Sequence, residues 1–519
     1  EVASANRASD INPEDIASIS ILKGPAAAAL YGIQAAGGAV IITTKKGKAG
    51  AGVVSYSGSV SFDEVLGVPD IQQVYGQGKQ LITEAGLSYD PDSQFSWGDR
   101  IGSGAQTFNH LEDFYSTGFT QNHNVSYSGG SERNQVYFSI GDLSQEGVIE
   151  GTSYDKTSFK LNTTSNISDK LTVGGSVNYI TTKTNSTKQG NAAGSSYSSL
   201  LAYPVNVDIH DFLNPDGSQS TIYQDQMFDN PYWSLANSPN NNKIHRILGI
   251  ANLDYNIFEG VNLSYTLGTD YYNDFNKRII GSGSLIENRE DGFISQFDKE
   301  YRRTTSNLIL SYQKDLSEDF TIDALLGNTV EDLNSRTVFT TGDGFQAPGI
   351  YSIGNVLREN QSISELITRK RTVGVFGELK FAWRDAIFLN ATGRNDWSST
   401  LPKDKRSFFY PSLGASAIIT DLFKMGGNDI TSESGLTYLK LRSTWAKVGK
   451  DAPIGALESS LGTNINGLAS SAYTYNGVNV GNPNLEPEFT ESYEVGVDAR
   501  FLENRLRFDL SIYYSESDN

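Results

Sequence analysis

The sequence predicts an all-β fold: a membrane-spanning antiparallel β-barrel with a small α/β unit lodged in its lumen. Three observations carry the prediction. Segment after segment alternates apolar and polar residues, the period of two that sends successive side chains to opposite faces of a strand. Short and long connections alternate between those segments. The composition, with 51 Gly, 27 Tyr and 25 Phe in 519 residues but only 2 Met, suits strands and turns better than helices.

The first element is unlike the rest. In "NPED" (12–15), Asn12 can cap a helix, Pro13 suits its first position, and Glu14 and Asp15 complement its positive end. "SISILKG" reads as a short strand. "PAAAALYG" reads as a short helix from Pro25 to Gly32, and "AVIITTKKG" as a second strand. Both strands are nearly continuously apolar, so the unit calls for burial on all sides. A wide barrel lumen can supply it, which makes residues 1–50 the end of a plug and 51–519 a barrel.

About fifteen barrel strands follow, at 51–62, 121–131, 134–143, 155–166, 170–182, 244–256, 260–272, 300–314, 318–331, 371–383, 386–396, 408–420, 437–449, 490–502 and 505–516. In "NQVYFSIGD", Val136, Phe138 and Ile140 face one way, and Gln135, Tyr137 and Ser139 the other. Leu506, Phe508, Leu510, Ile512 and Tyr514 likewise share one face. Tight turns fall at 131–133, 165–170, 257–260, 315–319, 383–386 and 503–505. Long connections fall at 64–120, 184–243, 273–299, 332–370 and 450–489, with shorter ones at 144–154 and 397–407 filling long-loop places. Turns on one side and loops on the other describe an up-and-down barrel in an outer membrane, whereas a soluble sandwich gives no reason for the asymmetry. Bacterial single-chain barrels have even strand numbers, so fifteen predicts that the sequence stops before the barrel closes.

Several classes are excluded. A net charge of −19 argues against nucleic acid. With no cysteine and four unpaired histidines (His110, His123, His210, His245), no metal or cofactor is expected. "GPAAAALYG" lacks the phosphate-loop pattern, and the acidic turns at 89–94 and 214–219 lack calcium-loop spacing. No catalytic constellation emerges, so no enzyme is expected. No run of 18 apolar residues forms a transmembrane helix.

"NPEDIASISILKGPAAAALYGIQAAGGAVIITTKKGK" closely resembles the end of the plug in TonB-dependent outer-membrane transporters, in particular the SusC/RagA-like group of Bacteroidota. Residues 114–149, "GRNDWSSTLP" (393–402) and "GNPNLEPEFTESYEVGVDARFLENRLRFDLSIYY" (481–514) agree. The resemblance implies a barrel of about 22 strands when complete, of which about fifteen are present. It implies active import of an oligosaccharide, glycan or peptide. Its implied partners are a SusD-like surface lipoprotein, often in a dimer of such pairs, the TonB-ExbB-ExbD complex, and outer-membrane lipid or lipopolysaccharide. A passive porin or adhesin barrel, and a soluble β-rich glycan-binding protein, are the alternatives.

Two groups of residues are candidates for the site. In "YEVGVDARF", Tyr493, Val495, Val497 and Phe501 form the apolar face, so Glu494, Asp498 and Arg500 point into the lumen. The resemblance pairs Glu494 with Lys45 in a plug–barrel ion contact; the other reading is two separate charges in a wet lumen. In the long loops, Trp97, Tyr232, Trp233, Tyr473 and Tyr475 are candidate substrate-binding aromatics, because flat rings suit sugar faces. Girdle or loop packing is the alternative for each.

Overall fold

The computed structural model describes residues 6–22, 32–35, 37–83, 86–188, 195–223, 228–286, 289–428, 430, 435–459, 461–464, 472–475 and 480–518, with side chains left undescribed at 81–88 and 460–479. Strands are numbered along the chain: β1 (Ile16–Leu22), β2 (Ala39–Thr44), β3 (Gly50–Asp63), β4 (Gly78–Thr83), β5 (Gly86–Asp90), β6 (Ser96–Trp97), β7 (Gly118–Gly130), β8 (Asn134–Glu146), β9 (Ser153–Asn166), β10 (Leu171–Ser186), β11 (Asn240–Phe258), β12 (Val261–Ile280), β13 (Phe293–Ser317), β14 (Phe320–Asp343), β15 (Gln361–Trp383), β16 (Ile387–Ser398), β17 (Ser407–Ile418), β18 (Leu436–Lys450), β19 (Leu461–Asn464), β20 (Ala472–Tyr475), β21 (Glu488–Phe501) and β22 (Leu506–Asp518). Short α-helices among the described residues are α1 (His110–Phe114), α2 (Ser196–Ala202), α3 (Pro231–Asn237) and α4 (Ile419–Met425).

Fifteen of these strands form one antiparallel sheet in the order β22-β21-β18-β17-β16-β15-β14-β13-β12-β11-β10-β9-β8-β7-β3. Each pairs with its sequence neighbour within the sheet, the meander of a barrel wall. All fifteen predicted strands are present, and several are longer than predicted. β13, β14 and β15 reach 25, 24 and 23 residues, so the expected loops 273–299 and 332–370 shrink to 281–292 and 344–360. On the outward face of the β15 extension the polar Glu365 and Arg369 are mixed with exposed Ile363 and Ile367, so the regular apolar alternation that marks a membrane strand is broken there.

Burial on this wall is inverted relative to a soluble protein. On β9, Lys156, Ser158, Lys160 and Asn162 are buried, while Phe159 and Leu161 between them are exposed. Tyr137 and Ser139 are buried and Ile140 is exposed, as the alternation of "NQVYFSIGD" requires. The concave face is thus polar and covered, and the convex face apolar and open, as lipid on the outside demands. On β15 the outward apolar run goes from Trp383 to Val373; at about 3.3 Å per residue and about 40° tilt it rises about 25 Å, the height of a hydrocarbon band.

Three features depart from the sequence reading, and one prediction falls outside the described residues. "NPED" forms a single 3₁₀ turn, Pro13–Asp15, capped by Asn12 as expected, but Asp15 is buried against the wall and the chain goes straight into β1. β1 and β2 pair antiparallel, and Ile19, Ile21 and Val40 on one face are exposed rather than buried on all sides, since no described residue covers that face. The predicted helix Pro25–Gly32 falls on 23–31, outside the described residues apart from Gly32. The β17–β18 connection, on the tight-turn side, holds α4.

The long connections are not featureless. Residues 64–117 include a three-stranded sheet, β5-β4-β6, and α1; α2 and α3 lie in the β10–β11 connection. Leu111, Phe114, Leu200, Tyr203, Ile209 and Tyr223 bury one another, with Val68, Ile149, Phe228 and Leu285 packed against them. Four connections, those after β3, β8, β10 and β12, therefore share one apolar core and form a lobe at the loop end of the wall.

The inverted wall makes a direct prediction. Leu326 is 59 % exposed in the middle of the outward apolar run of β14. Leu326→Arg should cost about 2–4 kcal/mol of folding free energy in lipid bilayers. A reversible-folding measurement in liposomes that finds no loss would mean that this face does not meet lipid.

Candidate functional site

The site is the contact between residues 6–48 and the inner wall. It is built almost wholly from polar groups. Asp10, 2 % exposed, accepts a bond from Nη1 of Arg246 on β11 at 2.9 Å, and the same nitrogen donates to the Arg7 carbonyl at 2.6 Å. Arg246 also grips Asp270 of β12 through Nε and Nη2 at 2.9 and 2.7 Å. One guanidinium fork therefore ties two wall strands to the plug segment, which a lysine could not do. The Arg7 guanidinium lies over the Tyr272 ring, 5.9 Å from its centre, and Tyr272 stacks on Tyr301.

Neighbouring strands extend the contact. Nζ of Lys156 donates to the Ser9 carbonyl at 3.1 Å. Asn12 donates to Asn124 of β7 at 2.9 Å. Asp15 accepts from the hydroxyls of Tyr137 and Ser139 on β8 at 2.9 and 2.6 Å, with the buried Lys160 as its charged neighbour. Further round the wall, Gln34 donates to Glu331 at 2.6 Å and accepts from Arg303, which itself pairs with Glu331.

The motif "GRNDWSSTLP" supplies the last patch. Arg394 and Asp396 pair at 2.9 Å, their side chains 3 % and 0 % exposed, and the buried Tyr410 hydroxyl donates to Asp396. Gly32 sits on this pair with φ +83°, and a Cβ there would come within 3.0 Å of Arg394. Ile33 packs beside it against Leu401, Phe408 and Tyr410. At the other end of the segment, a Cβ on Gly47 would fall 2.4 Å from the backbone of Val136, so only glycine lets the chain pass β8 this closely.

The candidates from the sequence are placed as follows. Glu494 faces the lumen side of β21, 3.8 Å from Arg442 of β18. Lys45 follows β2 and its amide donates to the Asp15 carbonyl; among the described residues no ion pair joins Lys45 to Glu494. Trp97 is 62 % exposed on β6, its ring 6.3 Å from that of Tyr75. Tyr232 is half-buried, bonds His210 Nε2 at 3.1 Å and meets the Phe114 ring edge-on. Trp233, at 3 % exposure, offers no face to a ligand. Tyr473 and Tyr475 belong to the β19–β20 hairpin, and their side chains lie outside the described residues.

The plug-facing residues Arg246, Asp270, Arg303, Glu331, Arg394 and Asp396 were missed by the sequence reading. A signal was present: each is a charge inside an alternating strand, and within the hydrocarbon band such a charge turns inward.

The lobe has its own electrostatics. His110 is buried with Nε2 3.1 Å from the Pro204 carbonyl, and burial pushes its imidazole below the ordinary 6.5. Burial pushes the Tyr203 phenol up to about 12. Burial also raises the Asp229 carboxyl, against donors from Ser284, Leu285 and Gln219. Among the described residues no group of three or more His, Asp and Glu is placed to hold a metal ion.

Comparison with known proteins accords with this architecture. Residues 194–519 match the family model "TonB dependent receptor-like, beta-barrel", and residues 2–39 match "TonB-dependent Receptor Plug Domain". TonB-dependent receptor P26 of Formosa agariphila is 26% identical over 98% of this chain and 51% of its own length. TonB-dependent receptor SusC of Bacteroides thetaiotaomicron is 25% identical over 99% and 52%. The chain thus spans about half the length of the curated relatives it matches. The RagAB peptide importer in its closed-closed state superposes with a TM-score of 0.78 at 18% identity, over 98% of this chain and 59% of that one. The chain belongs to the TonB-dependent receptor family and is an outer-membrane β-barrel protein.

Two outcomes follow from the geometry. Arg246→Met leaves Asp270 without its cation and Asp10 with only Arg7, 3.7 Å away, at a cost of about 3 kcal/mol; amide exchange over residues 6–16 should accelerate, and unchanged protection would remove Arg246 from the clamp. In the lobe, a lowered His110 value means that below pH 6.5 the unfolded lobe takes up a proton that the folded one refuses. Lobe stability should therefore fall as pH drops below that value. Asp229 adds the opposite slope, since the folded lobe holds its proton more tightly, but only toward the carboxylate range. Fluorescence of the buried Trp233 between pH 7.5 and pH 5.5 reads the change, and His110→Gln should flatten it; a flat wild-type profile would refute the assignment.

Proposed function

We propose that this chain is the plug-and-wall part of an importer that carries a large polar nutrient, a glycan fragment or a peptide, across the outer membrane. Residues 1–50 act as the end of the plug and 51–519 as the wall. The energy comes from a TonB-ExbB-ExbD complex, and a SusD-like surface lipoprotein closes the loop end. No covalent chemistry takes place.

The observation that carries this reading is the polar character of the plug contact. A plug meant to stay would be held by an apolar core. This one is held by ion pairs and hydrogen bonds that lumen water can replace as they open, which keeps the released state accessible. A wall lined with Lys, Ser, Asn, Asp and Arg suits a hydrated cargo better than an apolar one. The likeness to SusC and to the RagAB peptide importer supports the choice between glycan and peptide without making it.

Uptake by cells carrying the whole receptor tests the reading. Labelled oligosaccharides and peptides too large for porins are offered with and without a proton-motive force. Energy-dependent accumulation of one class is expected. Accumulation that persists after the force is collapsed would point to a passive pore instead. Cross-linking the plug to the wall through cysteines at Asp10 and Asp270 should abolish uptake reversibly; unimpaired transport by the cross-linked form would rule out plug movement.

A further inference from the structure

The wall changes height sharply between two neighbouring strands. β15 pairs with β14 from Gln361 to Trp383, but with β16 only from Thr372 to Trp383. Just above that point Ser399 closes the ladder: its amide donates to the Arg371 carbonyl at 3.0 Å, and its hydroxyl accepts from the Arg371 amide at 2.9 Å. The rest of the extension, residues 361–370, is a strand with one open edge. Along a strand, the N–H and C=O of alternate residues point to the same side. Arg371 points toward β16, so Arg369, Ile367, Glu365 and Ile363 point to the open side. Among the described residues no backbone group meets them there.

This edge is poorly protected. Native sheets blunt an open edge with charges, proline or a bulge. Here Ile363, Leu366 and Ile367 are 69 %, 62 % and 68 % exposed, and the register with β14 runs unbroken through the segment. The two charges that could screen the edge are drawn back over β14, Glu365 by Arg336 at 2.6 Å and Arg369 by Asn334 at 2.6 Å. The open residues present donors and acceptors at a repeat of about 6.6 Å. An extended polypeptide has that repeat; the hydroxyls of a sugar ring do not. The segment also leads down to the plug contact, since Thr372 is paired with Glu331, which holds Gln34. A second copy of the chain does not fit. Antiparallel self-pairing would set its barrel upside down in the membrane, and a two-fold axis along the membrane normal would cross strands tilted about 40° at about 80°.

We propose that residues 363–369 are a docking edge for peptide cargo, which binds as an added antiparallel strand of about seven residues. Main-chain bonds to Ile363, Glu365, Ile367 and Arg369 hold the peptide whatever its sequence. Ile363 and Ile367 on the outer face, and Leu366 on the inner, favour apolar side chains beside them. The edge stands at the loop end of the wall, above the plug contact, so it receives cargo before the plug moves. The proposal rests on the import reading and narrows its cargo to peptide.

The test uses the intact receptor in mild detergent. It is titrated with a fluorescent octapeptide of alternating Thr and Val, with the same peptide N-methylated at two adjacent central amides, and with a fluorescent eight-unit glucan. The Ile367 N–H points away from β14, so Ile367→Pro removes an open donor and no ladder bond. It should weaken octapeptide binding about ten-fold or more, and so should the two methyl groups. Heat-modifiable gel migration reports folding. Should the variant not fold, infrared spectra of the wild type with isotope-labelled peptide carbonyls give a second readout, the band of an antiparallel strand being expected on binding. Equal binding of the methylated peptide, unchanged binding by the folded variant, or a bound peptide without that band overturns the edge. Binding of the glucan and not of the peptide overturns the cargo class and leaves the import reading standing. Peptide binding at the edge, with uptake that survives collapse of the proton-motive force, supports the edge and removes the import reading.

Discussion

The structure depends on one constraint: the outer face of the sheet must be apolar because lipid cannot hydrogen-bond. With period-two alternation, an apolar outer face leaves the inner face to every polar residue the strands contain. Lys156, Ser158, Lys160 and Asn162 on β9 are there for that reason before any question of function arises. A segment entering the lumen meets charges and hydroxyls, and it must answer them with its own. Asp10, Asn12, Asp15 and Gln34 do so.

This explains why the contact is both specific and separable. A buried ion pair adds little net stability, because removing two charges from water offsets most of their attraction. Its geometry is nevertheless exacting: Arg246 must reach Asp10, Asp270 and the Arg7 carbonyl with one planar group. The result is a position that is well defined and yet not deep in free energy. An apolar plug surface would reverse both properties. Apolar contact is confined to two small patches among the described residues, Ile33 against Leu401, Phe408 and Tyr410 beside the Arg394–Asp396 pair, and Ala35 with Leu22 and Ala39 against Val448 of β18.

The wall was legible in the sequence because its rule is local. All fifteen strands could be read from alternation, since a strand between lipid and lumen reports both solvents within two residues. Three things were not legible, for physical reasons. The upper ends of β13, β14 and β15 mix outward polar residues (Arg302, Asn334, Arg369) with outward apolar ones (Ile363, Ile367), so they carry no regular apolar alternation. The plug partners are long-range: Gln34 and Glu331 are 297 residues apart, and only the wall's curvature brings them together. The loop aromatics looked alike in sequence, yet Trp233 is core, Tyr232 half-covered and Trp97 open, because that difference is set by which other loops pack nearby.

Three environments thus organise three parts of one chain by the same rule. Lipid selects the convex face, lumen water selects the concave face and its plug, and bulk water selects the lobe, which buries Leu111, Phe114 and Leu200 in the manner of a soluble domain. Each part is stable for its own reason, so each can change without unfolding the others. A lobe with its own core can hold a fixed shape above the lumen while the polar plug contact beneath it breaks and re-forms. The wall need not deform for that to happen, because its strands are joined by backbone hydrogen bonds that neither event touches. What couples the parts is the short run of residues that belong to two environments at once, Arg246 between wall and plug among them. Control over the molecule therefore concentrates in those residues rather than in the much larger surfaces they connect.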